Sequence, residues 1–510
     1  MKENKLKLNK WVFWPPFIVL FSSAILSMVN DKLFGDVVKT AFDWSVTNFG
    51  WLYSLTSMSV LVICAVLFCS SAGNIKFGGK DAKPEFTAWN WFAMSLCAGI
   101  GIGVVFWGVA EPIYHVSSPP GTLGMEAFST EASVFAITTC YLHWTFTPYA
   151  LYVICAIPIA LAVYNHNQPF MVSSALYFIL GDKTKGWIAK MVDAFCLYGV
   201  ASGVAVSLGY GLMQIGSGLQ VVFGIEPTKF VWAVIAVVII AIYTASSYTG
   251  LQKGIRFLSD QNAKLFFVVM IFILIVGPTR YILDIGTQSL GDYVGNFFEK
   301  SLWLGAASDE QWPRWWSIFY WSVWIIYAPV VGLFLARLVR GRTIREFLTV
   351  NLIAPAVFGM VWFAIFGGAS LEMQSSGAFD LVKAMKDSGM ESMVFMFFKQ
   401  FPLGSLLVPL FLCVIGISFI TLADSMTSCI AAMSVEGLDA SSSEPPAYLK
   451  IIWGIVVGFL AYFFISFAGI KGPKMLSFLS ALPIVFMIIA MTFSLLVYLY
   501  SSRWEKERNK

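Results

Sequence analysis

Charge is what this chain of 510 residues has least of, since only 12% of its residues are Asp, Glu, Lys or Arg. Hydrophobic residues make up 58% of the chain, and the mean hydropathy is +0.76. A soluble protein of this length needs more charge to cover its surface. Apolar runs of about 20 residues recur, and each can cross a bilayer as a helix. Because the runs are long and unbroken rather than alternating, they exclude a transmembrane barrel and predict an all-α integral membrane protein.

Residues that carry enzyme chemistry are also scarce. The chain has three histidines, dispersed at 115, 143 and 166, and it has neither an HExxH motif nor paired carboxylates with a histidine. We therefore expect no enzyme activity, no catalytic residue and no metal site. The eight cysteines form no CxxC pair and are interpreted as small core residues. The net charge of +4 is modest, and no nucleic-acid partner is expected.

The apolar runs predict twelve transmembrane spans. The first run begins at Trp11 without a small-residue cleavage site, so we interpret it as a span and not as a signal peptide. The third, fourth, fifth and tenth runs are longer than a bilayer requires, which indicates tilted or broken helices. The predicted cores are 12–30, 49–70, 88–115, 131–164, 191–222, 229–247, 262–283, 315–336, 348–370, 404–432, 448–469 and 475–500.

Lys and Arg concentrate in both tails and in the loops 2–3, 4–5, 6–7 and 8–9, whereas the 3–4 loop has neither. This asymmetry predicts that both termini face the cytoplasm of a bacterial inner membrane. The 9–10 loop weakens the pattern with Lys383, Lys386 and Lys399. Residues 289–304 are amphipathic and too polar to span, so they predict a helix that lies along the outer interface.

The third span carries alternating glycines, Gly99, Gly101 and Gly103, which are costly in an isolated helix. They permit either close helix packing or a broken helix whose free backbone groups face a substrate or an ion. No strand precedes them, so they do not form a dinucleotide-binding motif.

Aromatic residues gather deep in two spans. Tyr320, Trp324 and Tyr327 lie at i, i+4 and i+7 of the eighth span, on one helical face. In the fourth span, Tyr149 and Tyr152 are one turn apart, and Pro148 disturbs the helix between them and Trp144. Such rings either form core or surround a quaternary ammonium ion, which has no N–H group and must be held by ring faces.

Five segments together resemble the betaine/carnitine/choline transporter family over nearly the whole chain. In order they are FGGKDAKPEF from Phe77, AGIGIGVVFWGVAEP from Ala98, LHWTFTPYALY from Leu142, FYWSVWIIYAP from Phe319 and FLARLVRGRTIREF from Phe334. The resemblance implies a leucine-transporter-like core of two inverted five-helix repeats, with alternating access around a site at the membrane midplane. It also implies a homotrimer in the lipid bilayer and no cofactor besides sodium as a coupling ion.

The implied domains follow the spans. Residues 1–75 hold the N-terminal tail and two leading helices, 76–283 the first repeat, 284–314 the interfacial helix, 315–500 the second repeat and 501–510 a short tail. The shortness of that tail favours transport without osmotic gating, in a catabolic or exchange role.

The resemblance also assigns site residues. The central aromatic box is Trp144, Tyr149, Tyr152 and Trp324. Tyr114 resembles a further substrate contact, and Trp316 an outer transient site. The remaining substrate positions are Tyr320, Trp321, Tyr327, Gly99, Gly101 and Gly103. The possible ion site comprises Cys97, Ile100, Asn262, Ser418 and Thr421.

The chain departs from the family pattern at several positions. Position 323 is Val where the signature usually has Trp, and position 149 is Tyr where betaine-specific members tend to have Trp. Thr421 matches a sodium-ligating Thr, but Leu422 replaces the neighbouring Ser. Sodium-independent exchangers have an Arg and a Met where this chain has Asn262 and Val331, so neither mode of coupling matches fully.

We expect a secondary transporter of a quaternary-ammonium zwitterion such as glycine betaine or carnitine, or of choline. Alternatives are a sodium-independent exchanger and a transporter of another small amine or zwitterion. An ion channel would require a continuous polar pore, which the spans do not supply. Four acidic residues are functional candidates by their location in or beside spans, namely Glu111, Asp193, Asp260 and Asp424. Asp193 and Asp260 are expected to be solvated or loop-paired, whereas Asp424 either holds the tenth span or carries a proton, and His143 is expected in the core.

Overall fold

The computed structural model describes residues 6–100, 103–249, 254–308, 310–438, 444–468 and 479–508. Within these residues the structure is helical apart from one antiparallel pair of two-residue strands. Strand β1, Lys7–Leu8, pairs with β2, Val435–Glu436. The pair ties the start of the chain to the segment that follows the tenth span.

The first half of the chain supplies ten helices. They are α1 Lys10–Val29, α2 Asp31–Cys69, α3 Ala88–Ile100, α4 Gly103–Ser117, α5 Thr130–Trp144, α6 Phe146–His166, α7 Tyr177–Leu180, α8 Trp187–Phe223, α9 Lys229–Thr249 and α10 Arg256–Val276.

The described residues of the second half supply eleven more. They are α11 Thr279–Gly295, α12 Phe297–Leu302, α13 Trp312–Trp315, α14 Ser317–Leu338, α15 Ile344–Leu348, α16 Ala354–Ser375, α17 Leu381–Ser388, α18 Met390–Lys399, α19 Gly404–Met433, α20 Ala447–Phe463 and α21 Ala481–Arg508. A π-helical turn, Thr349–Ile353, joins α15 to α16.

The number of spans agrees with the sequence. Among the described residues, eleven helical stretches are long and apolar enough to cross a membrane, and the pair α3 and α4, inclined at 57°, makes a twelfth. The all-α membrane fold with up to twelve spans is therefore confirmed. The proposed division of the chain into domains stays a prediction.

Three predicted boundaries were wrong. Residues 31–48 are not a loop but the first half of α2, whose N-terminus is capped by the Asn30 side chain at 3.0 Å from the Leu33 amide. The amphipathic segment is not one helix over 289–304, because α11 begins after Pro278 and ends at Gly295, and the separate helix α12 follows. Gly277 and Pro278 also end the seventh span at Val276, earlier than predicted, since proline disfavours helix in the residue before it.

Breaks in two spans place side chains at the centre of the bundle. Thr145, with φ −118° and ψ −115°, separates α5 from α6. Pro148 is not the point of the break, because it lies in the first turn of α6, where a proline costs no helical hydrogen bond. Trp316, with φ −117° and ψ −79°, separates α13 from α14 in the same way.

The basic RGRTIRE segment has a structural role at one end of the bundle. The Arg345 guanidinium donates to the carbonyl oxygens of Phe68 and Ser70, at 2.9 and 2.8 Å, and to Asn74 Oδ1 at 2.6 Å. These contacts satisfy carbonyl groups at the C-terminus of α2 and favour its dipole. Thr343 and Glu346 form a capping box that starts α15.

Candidate functional site

Four buried aromatic rings from α5, α6 and α14 meet at the centre of the bundle. The Trp324 ring centroid lies 5.3 Å from that of Trp144, with the planes at 87°, and 5.6 Å from that of Tyr152. Tyr152 in turn lies 6.3 Å from Tyr149. All four side chains are at most 5% exposed. The structure thus brings together the four residues of the predicted aromatic box, which we call the cage.

The glycines of the third span lie against this cage. A Cβ atom at Gly103 would be only 2.6 Å from Trp144 Cη2, whereas one at Gly99 would be 3.4 Å from Tyr149 Cε1. Because Gly99 and Gly103 have no side chain, the helix ends that contain them can approach the rings. Gly101 lies outside the described residues, and so does the side chain of Ile100.

Among the described residues, one fully buried polar atom of the cage has no hydrogen-bond partner. Within the described part of the chain, the buried Tyr149 hydroxyl makes no hydrogen bond. Burial of a hydroxyl without a partner is unfavourable, so such a group calls for an explanation such as a ligand. Val323, where a further ring was expected, is half-buried.

Glu111 on α4 lies behind the cage and links its walls. Its Oε2 atom accepts hydrogen bonds from Trp144 Nε1 and Tyr320 Oη, each at 2.6 Å. The Glu111 side chain is fully buried. Trp324 Nε1 donates to the carbonyl oxygen of His143 at 2.9 Å. Tyr320 therefore supports Trp144 through Glu111, and its ring lies 5.3 Å from that of Trp144.

Two histidines complete the environment of Glu111. Oε1 of this carboxylate lies 2.8 Å from His143 Nδ1 and 3.3 Å from His115 Nε2. His143 Nε2 lies 3.0 Å from Ser317 Oγ. The expectation that the histidines are dispersed was wrong for these two. They are 28 positions apart in the sequence, and the fold brings both of them to the same carboxylate. The spacing of Glu111 and His115 at i, i+4 was the available signal.

The donor and acceptor atoms of Glu111, His115 and His143 lie within 4.8 Å of one another. These atoms are already hydrogen-bonded to each other. We therefore interpret this group, the Glu111 cluster, as a hydrogen-bonded network.

A second aromatic group leads from the cage towards the start of α14. Trp316, the predicted outer site, has its ring 5.1 Å from Tyr114 and 4.4 Å from His115. Trp107 contacts both Trp316 and Tyr320, at 6.2 and 6.4 Å. Tyr114 therefore belongs with Trp316 and not with the cage.

Glu310 holds this outer group in place at the surface. Its carboxylate accepts from the Trp312 amide at 3.0 Å and from the Thr122 hydroxyl at 3.2 Å. The hydrogen bond from the Trp312 amide is the main reason that the pKa of Glu310 is lowered from its ordinary value.

Two predicted substrate residues, Trp321 and Tyr327, have their recorded contacts with groups outside the four rings. The Tyr327 hydroxyl is 2.7 Å from Ser207 Oγ on α8. Trp321 is fully buried, and among the described residues its one ring contact is with His143 at 6.0 Å. Neither makes a ring contact with the cage within the described chain.

Three residues of the predicted ion site, Cys97, Asn262 and Ser418, come together between α3, α10 and α19. Asn262 Nδ2 lies 3.0 Å from Ser418 Oγ and 3.6 Å from Cys97 Sγ. The Thr421 hydroxyl donates to the Ser418 carbonyl of its own helix at 3.0 Å. Leu422 beside it is buried. The side chains therefore bond to one another across this site.

The remaining acidic candidates have partners. Asp193 accepts from the amide and the hydroxyl of Ser173, at 2.8 and 2.7 Å, and Asp260 pairs with Lys264 at 2.7 Å. Pairing was expected for both, although Asp193 is buried rather than solvated. Asp424 accepts from Ser246 and so links α19 to α9. This contact agrees with the alternative in which Asp424 holds the tenth span.

Comparison with known proteins gives the same family as the motifs. The sequence model of the betaine/carnitine/choline transporter family matches residues 11–503 of this chain. The chain is 36% identical over 498 residues to the glycine betaine transporter OpuD of Bacillus subtilis, covering 97% of this chain and 95% of that protein. It is 32% identical over 507 residues to the ectoine/hydroxyectoine transporter of Virgibacillus pantothenticus, and the match covers 99% of this chain and 100% of that protein.

Among solved structures, the chain is similar to a Na+-coupled sialic acid symporter in a substrate-bound outward-open state. That similarity has a TM-score of 0.43 at 14% identity and covers 85% of this chain and 82% of the other. The family match and the identities to whole relatives support one conclusion about this multi-pass membrane protein. The chain belongs to the betaine/carnitine/choline transporter family.

Proposed function

We propose that this protein is a secondary active transporter of a quaternary-ammonium zwitterion, such as glycine betaine, carnitine or a related betaine, or of choline, by alternating access. The observation that carries the proposal is the cage of Trp144, Tyr149, Tyr152 and Trp324, whose rings are buried and in mutual contact. A quaternary ammonium ion offers no N–H donor, so ring faces are its natural partners. Two relatives, a glycine betaine transporter and an ectoine/hydroxyectoine transporter, support this substrate class.

The physical basis is desolvation. Each ring face contributes about 0.5–2 kcal/mol to cation binding, with the higher values in water-free sites. Gly99 and Gly103 allow the broken third span to close over the rings, and the tight approach at Gly103 supports that arrangement. An ectoine-type substrate is the second candidate, since its planar delocalised cation stacks on rings and Val323 leaves more room than Trp.

We further propose that Tyr149 binds the carboxylate of the substrate. Its hydroxyl is the buried polar atom of the cage that lacks a partner within the described chain. A hydrogen bond to a charged group contributes about 1.5–3 kcal/mol.

Tyr149→Phe is therefore expected to weaken uptake of glycine betaine about tenfold or more in apparent affinity. Choline has the same cationic head and no carboxylate, so its uptake or inhibitory potency should change little. The measurement is competition by both compounds in the same vesicles. An equal loss for betaine and choline would assign Tyr149 to the cage wall alone.

For coupling, we propose transport that does not depend on sodium, in the manner of an exchanger. Na+ prefers several oxygen ligands, and the Leu422 side chain supplies none where the family pattern has a Ser hydroxyl. In the same region Asn262 Nδ2 lies near Ser418 Oγ and Cys97 Sγ, and Asn262 Oδ1 lies 3.2 Å from Ser418 Oγ, so these polar groups are already bonded to one another.

We expect wild-type uptake to proceed equally with Na+ or K+ outside, and Leu422→Ser to introduce stimulation by Na+. The measurement is initial uptake at matched ionic strength, with Leu406→Ser, an exposed position of the same helix, as the control. Strong stimulation of the wild type by Na+ would contradict the proposed exchange mode.

The decisive experiment for the function is uptake by the purified protein in proteoliposomes. Radiolabelled glycine betaine, carnitine, choline, γ-butyrobetaine and ectoine are each tested with and without a sodium gradient and with and without trapped internal substrate. Uptake that needs only internal substrate supports exchange, and uptake that needs sodium supports symport. If none of the five is transported, the proposed substrate class is wrong.

We also propose that both termini face the cytoplasm and that the protein forms a homotrimer. The basic tails and even-numbered loops support cytoplasmic termini in a bacterial inner membrane. The resemblance to the family supports a homotrimer that forms through the region 284–314.

A further inference from the structure

The Glu111 cluster is a buried acid–base group that the cage does not account for. Glu111 has four donors, one of which, Trp144 Nε1, belongs to a cage wall. A second donor, Tyr320, is T-stacked on Trp144 with centroids 5.3 Å apart. A change in the charge of Glu111 therefore acts on the cage directly, through the hydrogen bond from Trp144 Nε1.

The hydrogen-bond chemistry defines one state of the cluster. An ionised carboxylate only accepts hydrogen bonds, so the ring nitrogens that face it, His143 Nδ1 and His115 Nε2, carry protons. The lone pair on His143 Nε2 then faces Ser317 Oγ. His115 Nδ1 is buried and has no hydrogen-bond partner among the described residues. In this state both imidazoles are neutral and the cluster has one negative charge.

The unpartnered nitrogen can accept a proton. Addition of a proton to His115 Nδ1 breaks no hydrogen bond and converts the His115–Glu111 contact into an ion pair. The cluster is then neutral as a whole, which lowers the cost of holding a charge inside the membrane.

Few other ionisable groups face the cluster. On the elements packed against α4, they are Cys140 on α5 and Tyr320 on α14. In the described chain, no Lys or Arg nitrogen lies within 4.0 Å of Glu111. Lys300, whose ammonium lies over the Phe135 ring, is paired with Asp292 at 3.2 Å.

We propose that Glu111, His115 and His143 together bind one exchangeable proton, and that this proton and the substrate cation weaken each other's binding. The inference rests on the proposed function of the cage. The ionised carboxylate accepts from Trp144 Nε1, which makes the indole face more negative, and it attracts a cation held by that face. Protonation of the cluster removes this net charge. Because coupling between two ligands is reciprocal, binding of the cation releases the proton.

The first test needs no substrate. The chain has only three histidines, so 15N-histidine labelling in lipid nanodiscs gives a simple imidazole spectrum. On acidification, we expect His115 to change from the two distinct nitrogen signals of a neutral ring to the similar pair of an imidazolium, and Glu111→Gln to shift that transition to lower pH. A neutral His115 signature at every pH at which the protein stays folded would overturn the proposal.

The second test is substrate affinity as a function of pH. Wild-type affinity for glycine betaine should fall about tenfold per pH unit below the transition, the slope for one linked proton. His115→Gln keeps an N–H donor towards Glu111, so its affinity for glycine betaine should equal that of the wild type at alkaline pH and should not change with pH. Glu111→Gln should bind as weakly at every pH as the wild type does at acid pH. His166→Gln, outside the cluster, should keep the wild-type slope.

The outcomes separate the two proposals. An unchanged slope in His115→Gln, or tighter binding at acid pH, would overturn the proton site. Absence of binding for any of the five substrates at every pH would overturn the proposed function, while the histidine spectrum still decides the proton site. If either variant does not fold, as judged by size-exclusion profile, the wild-type spectrum and the other variant decide.

Discussion

Trp324→Ala is expected to abolish saturable uptake while the protein stays folded. Trp324 contacts both Trp144 and Tyr152, so its removal opens two sides of the cage. Loss of one desolvated ring face costs about 2 kcal/mol, or roughly 30-fold in affinity. The cavity that remains admits water, which weakens the contribution of the other rings as well.

The measurement is the concentration dependence of initial uptake in proteoliposomes, together with the size-exclusion profile and the thermal midpoint. Trp324→Phe keeps a smaller ring and should give an intermediate affinity. Trp453→Ala is the matched control, because that tryptophan is fully buried but packs on Phe13 and Phe17 of α1, away from the cage. Persistence of uptake in Trp324→Ala with unchanged apparent affinity would show that the cage is not the substrate site.

Gly103→Ala is expected to have a comparable effect from a single methyl group. The new Cβ would lie 2.6 Å from Trp144 Cη2, well inside van der Waals contact. The Trp144 ring cannot move away freely, because its Nε1 is bonded to Glu111 and its other sides contact Trp324 and Phe363. Overpacking of this kind costs about 1–3 kcal/mol, so apparent affinity should fall about tenfold or more.

Two other glycines serve as references for Gly103. Gly99→Ala places its Cβ at 3.4 Å from Tyr149, an ordinary contact, and should have a much smaller effect on affinity. Gly35→Ala in α2 meets nothing within 4 Å and should leave uptake unchanged and raise stability slightly, since alanine favours helix. Equal effects at 99 and 103 would mean that helix flexibility, and not contact with the Trp144 ring, makes the glycines necessary.

Composition and periodicity were sufficient for the fold class. Apolar runs of bilayer length define helical spans because every backbone polar group inside a membrane must be bonded within its own segment. The same reasoning missed the first half of α2, since residues 31–48 are polar enough to suggest a loop and yet contain one glycine and no proline to end a helix. Polarity indicates contact with water or headgroups, and it does not decide whether the backbone there is helical.

The cage was predictable residue by residue, but only through the resemblance to a family. Helical spacing places Tyr320, Trp324 and Tyr327 on one face, yet these three side chains have different partners: Glu111, the cage and Ser207. A helix face is broad enough to touch several neighbours, and the sequence of one helix does not say which neighbour lies opposite each residue.

The amino-acid sequence by itself determined that this chain crosses a membrane many times and belongs with transporters, because hydrophobic length and local motifs are properties of contiguous residues. Only the tertiary structure decided which distant groups share a site. Glu111 and His143 are 2.8 Å apart although 31 residues lie between them, and Asn262 meets Ser418 across an even longer interval. Such contacts depend on how broken helices pack against each other, which is set by the whole bundle and not by the spacing along any one helix.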